Sequence, residues 1–342
     1  MSLQSNQNKI FKELNNLVKK FPFIVIWICH EYYRNIEVIE PHLGFKQKNP
    51  IKRILRIQKK IFALIKIFKS SSNYKLNYNQ NDFFGSNFAF ARRNENIYLR
   101  NNSSFNKKKF LSKVQKFLTK RFKSLGLNKT YFKGKKVLDC GCGAGRFTYI
   151  LSKFNPSKIF GVDISKENIK IIKKVFMNKN TFYKVGNNLK IPFKSEQFDF
   201  VYSSGVVHHT KNMKKAIKEL FRVCKKGGLI YLYVYGKGGI YWDARQKMNK
   251  LMKKIPQNYT QKFLDITFMP RERLMFLDNW YVSHEIYSHN IQLKKFLSSL
   301  KPKFIKKMSQ GAPHDFSTGL SKYKNNGKII WGDGELRYLI KK

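Results

Sequence analysis

From about residue 106 onward, short apolar runs alternate with stretches whose apolar positions recur at helical spacing. The runs predict strands over Lys136–Asp139, Ile159–Asp163, Thr181–Val185, Phe198–Ser203 and Leu229–Tyr235. The helical spacing predicts helices over Arg146–Phe154, Lys166–Met177 and Met213–Cys224, the last ended by Lys225-Lys226-Gly227-Gly228. Two further runs, Lys303–Met308 and Glu335–Ile340, read as closing strands. Strands and helices in strict alternation give an α/β fold: a mainly parallel, doubly wound sheet with helices on both faces. Ligands in such sheets bind beyond the carboxyl ends of the strands, so the residues after each strand are the ones to examine.

The N-terminal third has a different texture. Residues 1 to about 72 keep helical spacing, and 73 to about 105 are rich in Asn, Ser and Tyr, as in a linker. The reading is an accessory region over 1–105 and a main domain over 106–342. The apolar run Phe21–Cys29 is nine residues long and includes Pro22. It falls short of the ~20 residues a membrane span needs, and so predicts a buried helix or strand. Pro50–Lys69 places Ile51, Ile54, Leu55, Ile61, Phe62, Ile65 and Phe68 on one stripe beside Lys52, Arg53, Lys59, Lys60 and Lys66. This basic amphipathic helix suits either peripheral contact with an anionic membrane surface or packing against the rest of the protein. The helical stretch after the fifth strand, from Ile240 to about Leu277, predicts an inserted lid over about 240–290.

Composition changes this picture little. The chain of 342 residues has Lys+Arg 69 against Asp+Glu 20, a formal charge of +49. Such a charge suits nucleic acid or a membrane surface. Yet the basic residues are spread along the whole chain, and Lys, Asn, Ile and Phe are enriched together, as compositional bias would produce. Cys29, Cys140, Cys142 and Cys224 show neither a disulfide ladder nor paired CxxC spacing, so no metal site is expected and the reducing cytosol is the expected compartment. The start MSLQSNQNK does not read as a secretory signal.

The chemistry concentrates after the first strand, in Asp139-Cys140-Gly141-Cys142-Gly143-Ala144-Gly145-Arg146. Glycines at 141, 143 and 145 permit a sharp turn and close approach of backbone to a ligand. A dinucleotide fingerprint would need glycine at 146, where Arg146 stands, so the spacing is GxGxG. Asp163 closes the second strand where a carboxylate can accept from both hydroxyls of a ribose. Asp163 could equally cap the helix beginning near Ser165, and Asp139 could organise its own turn.

With these segments in view, the chain resembles the class I S-adenosylmethionine-dependent methyltransferases, in the small-molecule branch that carries an HHT segment after strand four. The resemblance rests on VLDCGCGAGRFT (137–148), GVDIS (161–165), GNNLKIPFKSEQFDFVYSSGVVHHT (186–210) and KELFRVCKKGGLIYLYVYG (218–236). It implies a Rossmann-like, seven-stranded sheet whose last two strands pair antiparallel at one edge. It also implies S-adenosyl-L-methionine as cofactor. Asp139, Gly141, Gly143 and Gly145 would line its methionine portion and ribose, Asp163 would hold the ribose, and Ile164 would contact adenine. Asn187 and Asn188 stand where the family usually has an acidic residue near the adenine amino group. Ser204, Gly205 and Val206 would face the cofactor, with His208 and His209 opening the substrate wall as candidate catalytic residues. A further segment, Arg271 to His289, resembles a subset with an R-x-L and D-W pattern, and offers Arg273, Asp278, Trp280, His284, Tyr287 and His289 as substrate contacts.

The expected function is methyl transfer to a small-molecule or lipid-linked acceptor. A nucleic-acid acceptor such as RNA is the alternative, against which SSGV stands in place of an NPPY-type tetrad after strand four. A non-enzymatic protein using the 50–69 helix at a membrane surface is the third reading.

Overall fold

The computed structural model describes residues 2–37, 50–70, 107–267, 277, 280–308 and 327–342. By internal contact the chain divides into two bodies. One comprises Met1–Ala89, Lys237–Ser283 and Pro313–Gly334, and the other Phe90–Gly236, His284–Ala312 and Glu335–Lys342. Helices are numbered along the whole chain, so those of the two bodies interleave.

The first body is helical. Helix α1 (Leu3–Leu17) starts where Ser2 Oγ accepts from Ser5 N at 3.1 Å. Helix α2 (Pro22–Glu37) opens on Pro22, whose missing N–H costs nothing at a first helical position. It resolves the Phe21–Cys29 run as a helix that buries Val25, Ile26, Ile28 and Cys29. In α3 (Pro50–Ser70), Ile54, Ile61 and Ile65 are buried and the helix packs on α1 and α2. The insertion after the fifth strand supplies α8 (Gly239–Met252) and α9 (Gln257–Thr267). A buried amide chain crosses this core. Gln58 Nε2 donates to Tyr32 Oη at 2.9 Å, and Tyr32 Oη donates to Gln7 Oε1 at 2.7 Å. Gln7 Nε2 in turn donates to Asp243 Oδ2, on α8, at 2.7 Å. The insertion, expected as a lid, therefore shares its core with the N-terminal helices.

The second body carries α4 (Lys107–Ser124), α5 (Arg146–Ser152), α6 (Lys166–Phe176), α7 (Met213–Val223) and α10 (Asn290–Ser299) around a seven-stranded sheet. The strands are β1 (Lys136–Cys140), β2 (Lys158–Asp163), β3 (Thr181–Val185), β4 (Phe198–Ser204), β5 (Cys224–Tyr235), β6 (Phe304–Lys307) and β7 (Glu335–Lys341). Their order is β3-β2-β1-β4-β5-β7-β6, parallel except for β7, which runs antiparallel to both of its neighbours. The expected Rossmann-like architecture is the observed one. Alternation along β1, β4 and β5 sends Val137, Phe200, Tyr202, Leu229 and Tyr231 to a face shared with Leu118 and Phe122 of α4. Leu138, Val201, Ile230 and Leu232 go to the opposite face, shared with Ile217 and Leu220 of α7.

One boundary needs correction. The sequence ends a helix at Cys224 and starts the strand at Leu229, reading Gly227-Gly228 as a break. The strand begins at Cys224, which pairs with Phe198 before a register shift. Gly227 N donates to Lys342 O at 2.8 Å and Lys342 N to Gly228 O at 3.0 Å. Distant chain thus supplies the ladder partners that no local signal reveals.

Candidate functional site

The reversal of strand order between β1 and β4 puts the ends of β1, β2 and β4 side by side, and the glycine turn is built there, between β1 and α5. Gly141 N and Cys142 N both donate to Val162 O, at 2.7 and 2.9 Å, which ties the turn to β2. Gly141 has φ +77°, and a Cβ there would collide with the Val206 side chain. Val206, two residues beyond β4, thus closes directly on the backbone after β1, and only glycine permits it. Gly143, at φ +48°, differs: a Cβ there would meet nothing within 4 Å. Its N–H donates to Asp163 Oδ2 at 2.8 Å.

Asp163 also accepts from Ser165 N, through Oδ1 at 3.0 Å, and burial raises its carboxyl above the ordinary carboxylate value. The helix cap is Ser165, whose Oγ accepts from Asn168 N at 3.1 Å at the start of α6. Asp163 therefore braces the turn and leaves the capping to its neighbour. Beside it Ile164 is 55% exposed, an apolar side chain held in the open next to a carboxylate. Asp139 is buried and accepts from Thr148 Oγ1 at 2.7 Å. Burial pushes its carboxyl up to about 7 against that hydrogen bond. Burial likewise pushes the Cys140 and Cys142 thiols well above their usual value.

Asn187 is exposed and its Oδ1 accepts from Leu189 N at 2.8 Å, an Asx turn, while Asn188 is buried. Ser204 ends β4, and Gly205 N donates to Tyr233 O at 3.1 Å.

Next comes a cluster of rings. His208 is fully buried in the single turn Val207–His209, with its ring centroid 3.9 Å from that of Tyr235 and 4.2 Å from that of His209. Tyr235 faces Tyr287 at 5.9 Å. His208 O accepts from Ile286 N at 2.8 Å, and His209 Nδ1 lies 3.1 Å from His284 O. A carbonyl only accepts, so this contact needs the proton on Nδ1.

Of the six residues expected to touch substrate, the structure brings His284 and Tyr287 to this cluster. His289 is exposed at the start of α10, where its carbonyl accepts from Leu293 N at 3.0 Å. Trp280 belongs elsewhere: it is wholly buried in the helical body, edge-on to Tyr33 at 4.9 Å, and its carbonyl accepts from Asn249 Nδ2 at 3.1 Å. It is a core residue. Arg273 and Asp278 lie outside the described residues.

Sequence reading missed Tyr235 and Arg121. Tyr231, Tyr233 and Tyr235 stand two apart and so share one face of β5, but that face becomes a wall only through the pairing of Ile230–Tyr235 with β7 and of Ile230–Tyr233 with β4. Arg121 carries only one local signal, an arginine in a chain where lysine is far commoner.

Residues 138–232 match the family model described as a methyltransferase domain. The chain is 37% identical over 125 residues to a tRNA (carboxymethyluridine(34)-5-O)-methyltransferase of Arabidopsis thaliana, covering 35% of this chain and 27% of that protein. It is 29% identical over 133 residues to norajmaline N-methyltransferase of Rauvolfia serpentina, covering 37% and 46%. It is also 31% identical over 127 residues to a sterol 24-C-methyltransferase of Schizosaccharomyces pombe, covering 36% and 33%. The match thus spans less than half the length of each of these relatives. The residues fit the donor that this family uses: open space over Gly143, the Asp163 carboxylate and the exposed Ile164 lie together at the strand ends. This part of the chain is a class I S-adenosylmethionine-dependent methyltransferase domain.

Proposed function

We propose that the protein methylates a small-molecule or lipid-linked acceptor at an O, N or C nucleophile. The observation that carries this reading is the ring cluster of His208, His209, Tyr235 and Tyr287 beyond β4 and β5, whose aromatic faces suit a compact acceptor. S-adenosylmethionine supplies an electrophilic methyl group on sulfur. Asp163 and Ile164 would hold the nucleoside end, Gly141, Gly143 and Gly145 would border the methionine portion, and Asn187 and Asn188 would flank the adenine. His209, with its proton on Nδ1, offers Nε2 as the base that takes a proton from the acceptor as the new bond forms. Alignment of the nucleophile supplies the larger part of the rate.

A nucleic-acid acceptor is the second reading. It is favoured by relatives named as tRNA methyltransferases and by the +49 charge. The test is incubation of the full chain with methyl-labelled donor and either a metabolite extract or total RNA. Label in an extractable small molecule or lipid supports the first reading, and label in RNA alone overturns it. A peripheral membrane role for 50–69 is a separate proposal, tested by liposome flotation with and without that helix. No described helix is long and apolar enough to cross a membrane.

A further inference from the structure

The amino ends of the parallel strands, opposite the glycine turn, hold an opening of their own. It is a cavity of about 460 Å³ bordered by the chain after α4, the starts of β5 and β6 and the end of β7. Leu229 and Leu339 wall it and are buried, while the Phe304 ring beside them is 41% exposed. A Cβ added at Gly227, which also borders it, would meet nothing within 4 Å. Leu229 and Tyr235 stand about 20 Å apart along β5 at the rise of a strand, so this cavity is separate from the ring cluster.

Lys135, Lys225, Lys226 and Lys341 border the cavity, and Asp199 is the carboxylate among its lining residues. That carboxylate is already engaged. Its Oδ1 accepts from Lys225 Nζ at 2.8 Å and its Oδ2 from Lys136 N at 2.8 Å. Among the described residues, no carboxylate lies within ion-pair distance of Lys135, Lys226 or Lys341. Lys135 and Lys341 are half-buried, and Lys135 Nζ sits 5.8 Å from the centre of the Tyr131 ring, which also lines the cavity. Exposed lysines need no explanation in a chain of this charge. Half-buried ones around one leucine-walled cavity do, because like charges held in a concave place with apolar walls repel each other until an anion joins them.

We propose that this cavity binds a small molecule that carries a phosphate monoester on an apolar ring. A phosphate monoester brings about −1.5 to −2 charges at neutral pH, which answers the ammonium groups of Lys135, Lys226 and Lys341. Lysine binds phosphate as a point charge, so no planar match is required. The ring packs on Leu229, Leu339, Tyr131 and Phe304, and the volume falls within the range of about 300–1,000 Å³ usual for small-molecule pockets. None of these residues belongs to the glycine turn or the ring cluster, so the proposal stands apart from the methyl-transfer reading.

Calorimetric titration of the full chain at fixed ionic strength tests it, with 1-naphthyl phosphate as probe and 1-naphthol and inorganic phosphate as its two halves. The whole probe is expected to bind at least tenfold more tightly than either half, and equally well when S-adenosylhomocysteine saturates the protein. Replacing Lys226 and Lys341 together by glutamine is expected to weaken it at least tenfold. The same change at Lys173 and Lys174, exposed on α6, is expected to leave it unchanged. Lys226 is itself exposed, so Lys226→Gln alone carries the comparison, with a smaller loss, should the double variant not fold. The proposal is overturned if the probe binds no better than inorganic phosphate, if S-adenosylhomocysteine displaces it, or if the α6 pair weakens it as much as the cavity pair. The last result would mark attraction to the overall charge and nothing more.

Discussion

Gly143 N and Asp163 Oδ2 are 2.8 Å apart, a hydrogen bond that joins the turn after β1 to the end of β2. One oxygen of the carboxylate braces the turn while the other accepts from Ser165 N. The same side chain therefore shapes the turn and, on the proposed reading, would also hold the nucleoside of the donor.

Asp163→Ala is expected to weaken S-adenosylhomocysteine binding by about 10- to 100-fold, the consequence of losing about 1.5–3 kcal/mol of hydrogen bonding to a charged group. Asp163→Asn keeps one acceptor oxygen and is expected to lose less. Calorimetric titration checks both, and wild-type affinity in the alanine variant would refute the assignment.

The two glycines should respond differently to alanine. At Gly141 the new methyl group collides with Val206 and the positive φ adds strain, so a stability loss of about 2–4 kcal/mol is expected. At Gly143 the methyl group enters open space, and only the φ strain of about 1–2 kcal/mol remains. The Gly143 variant should fold and bind S-adenosylhomocysteine poorly, because the proposed reading puts the donor in that space. Urea unfolding and ligand titration on the same samples distinguish these outcomes.

Asp139 makes stability depend on pH with a definite sign. Its folded value of about 7 lies above the ordinary carboxylate value, so the protonated form is favoured by folding. The resulting stabilisation is full below about pH 4 and is lost as pH rises through about 7. Asp163 shifts in the same direction. Wild type minus Asp139→Asn isolates the Asp139 contribution: the difference in unfolding free energy should fall between about pH 4 and 7. A flat difference would show that the buried carboxyl titrates normally.

Trp280 and His284 are close in sequence and are expected to fail in different ways. Trp280→Ala removes a wholly buried ring and should cost about 3–5 kcal/mol of stability in the helical body. His284→Ala leaves intact the backbone carbonyl that meets His209 Nδ1, so thermal stability should hold. If its imidazole touches the acceptor, KM for that acceptor should rise. Melting curves for both variants decide the first point, and a destabilised His284 variant would contradict it.

Much of the sheet was legible because burial on both faces forces short apolar runs, and helices between them enforce the parallel order. β3 was read to the residue, and the glycine turn and Asp163 were found from spacing alone. Local pattern carries this information because strand and helix periods are properties of a few consecutive residues. The start of β5 was not legible, since its first residues are extended only by pairing with Phe198 and with Lys342. Trp280 and His284 looked alike in one aromatic, His-containing segment, and only tertiary packing sent one to a helical core and the other to the histidine cluster. Arg121 was invisible for the same reason. A side chain's charge is written in the sequence, whereas its burial and its partners depend on residues such as Tyr202 and Ser204, 81 and 83 positions away, that only the folded chain brings to it.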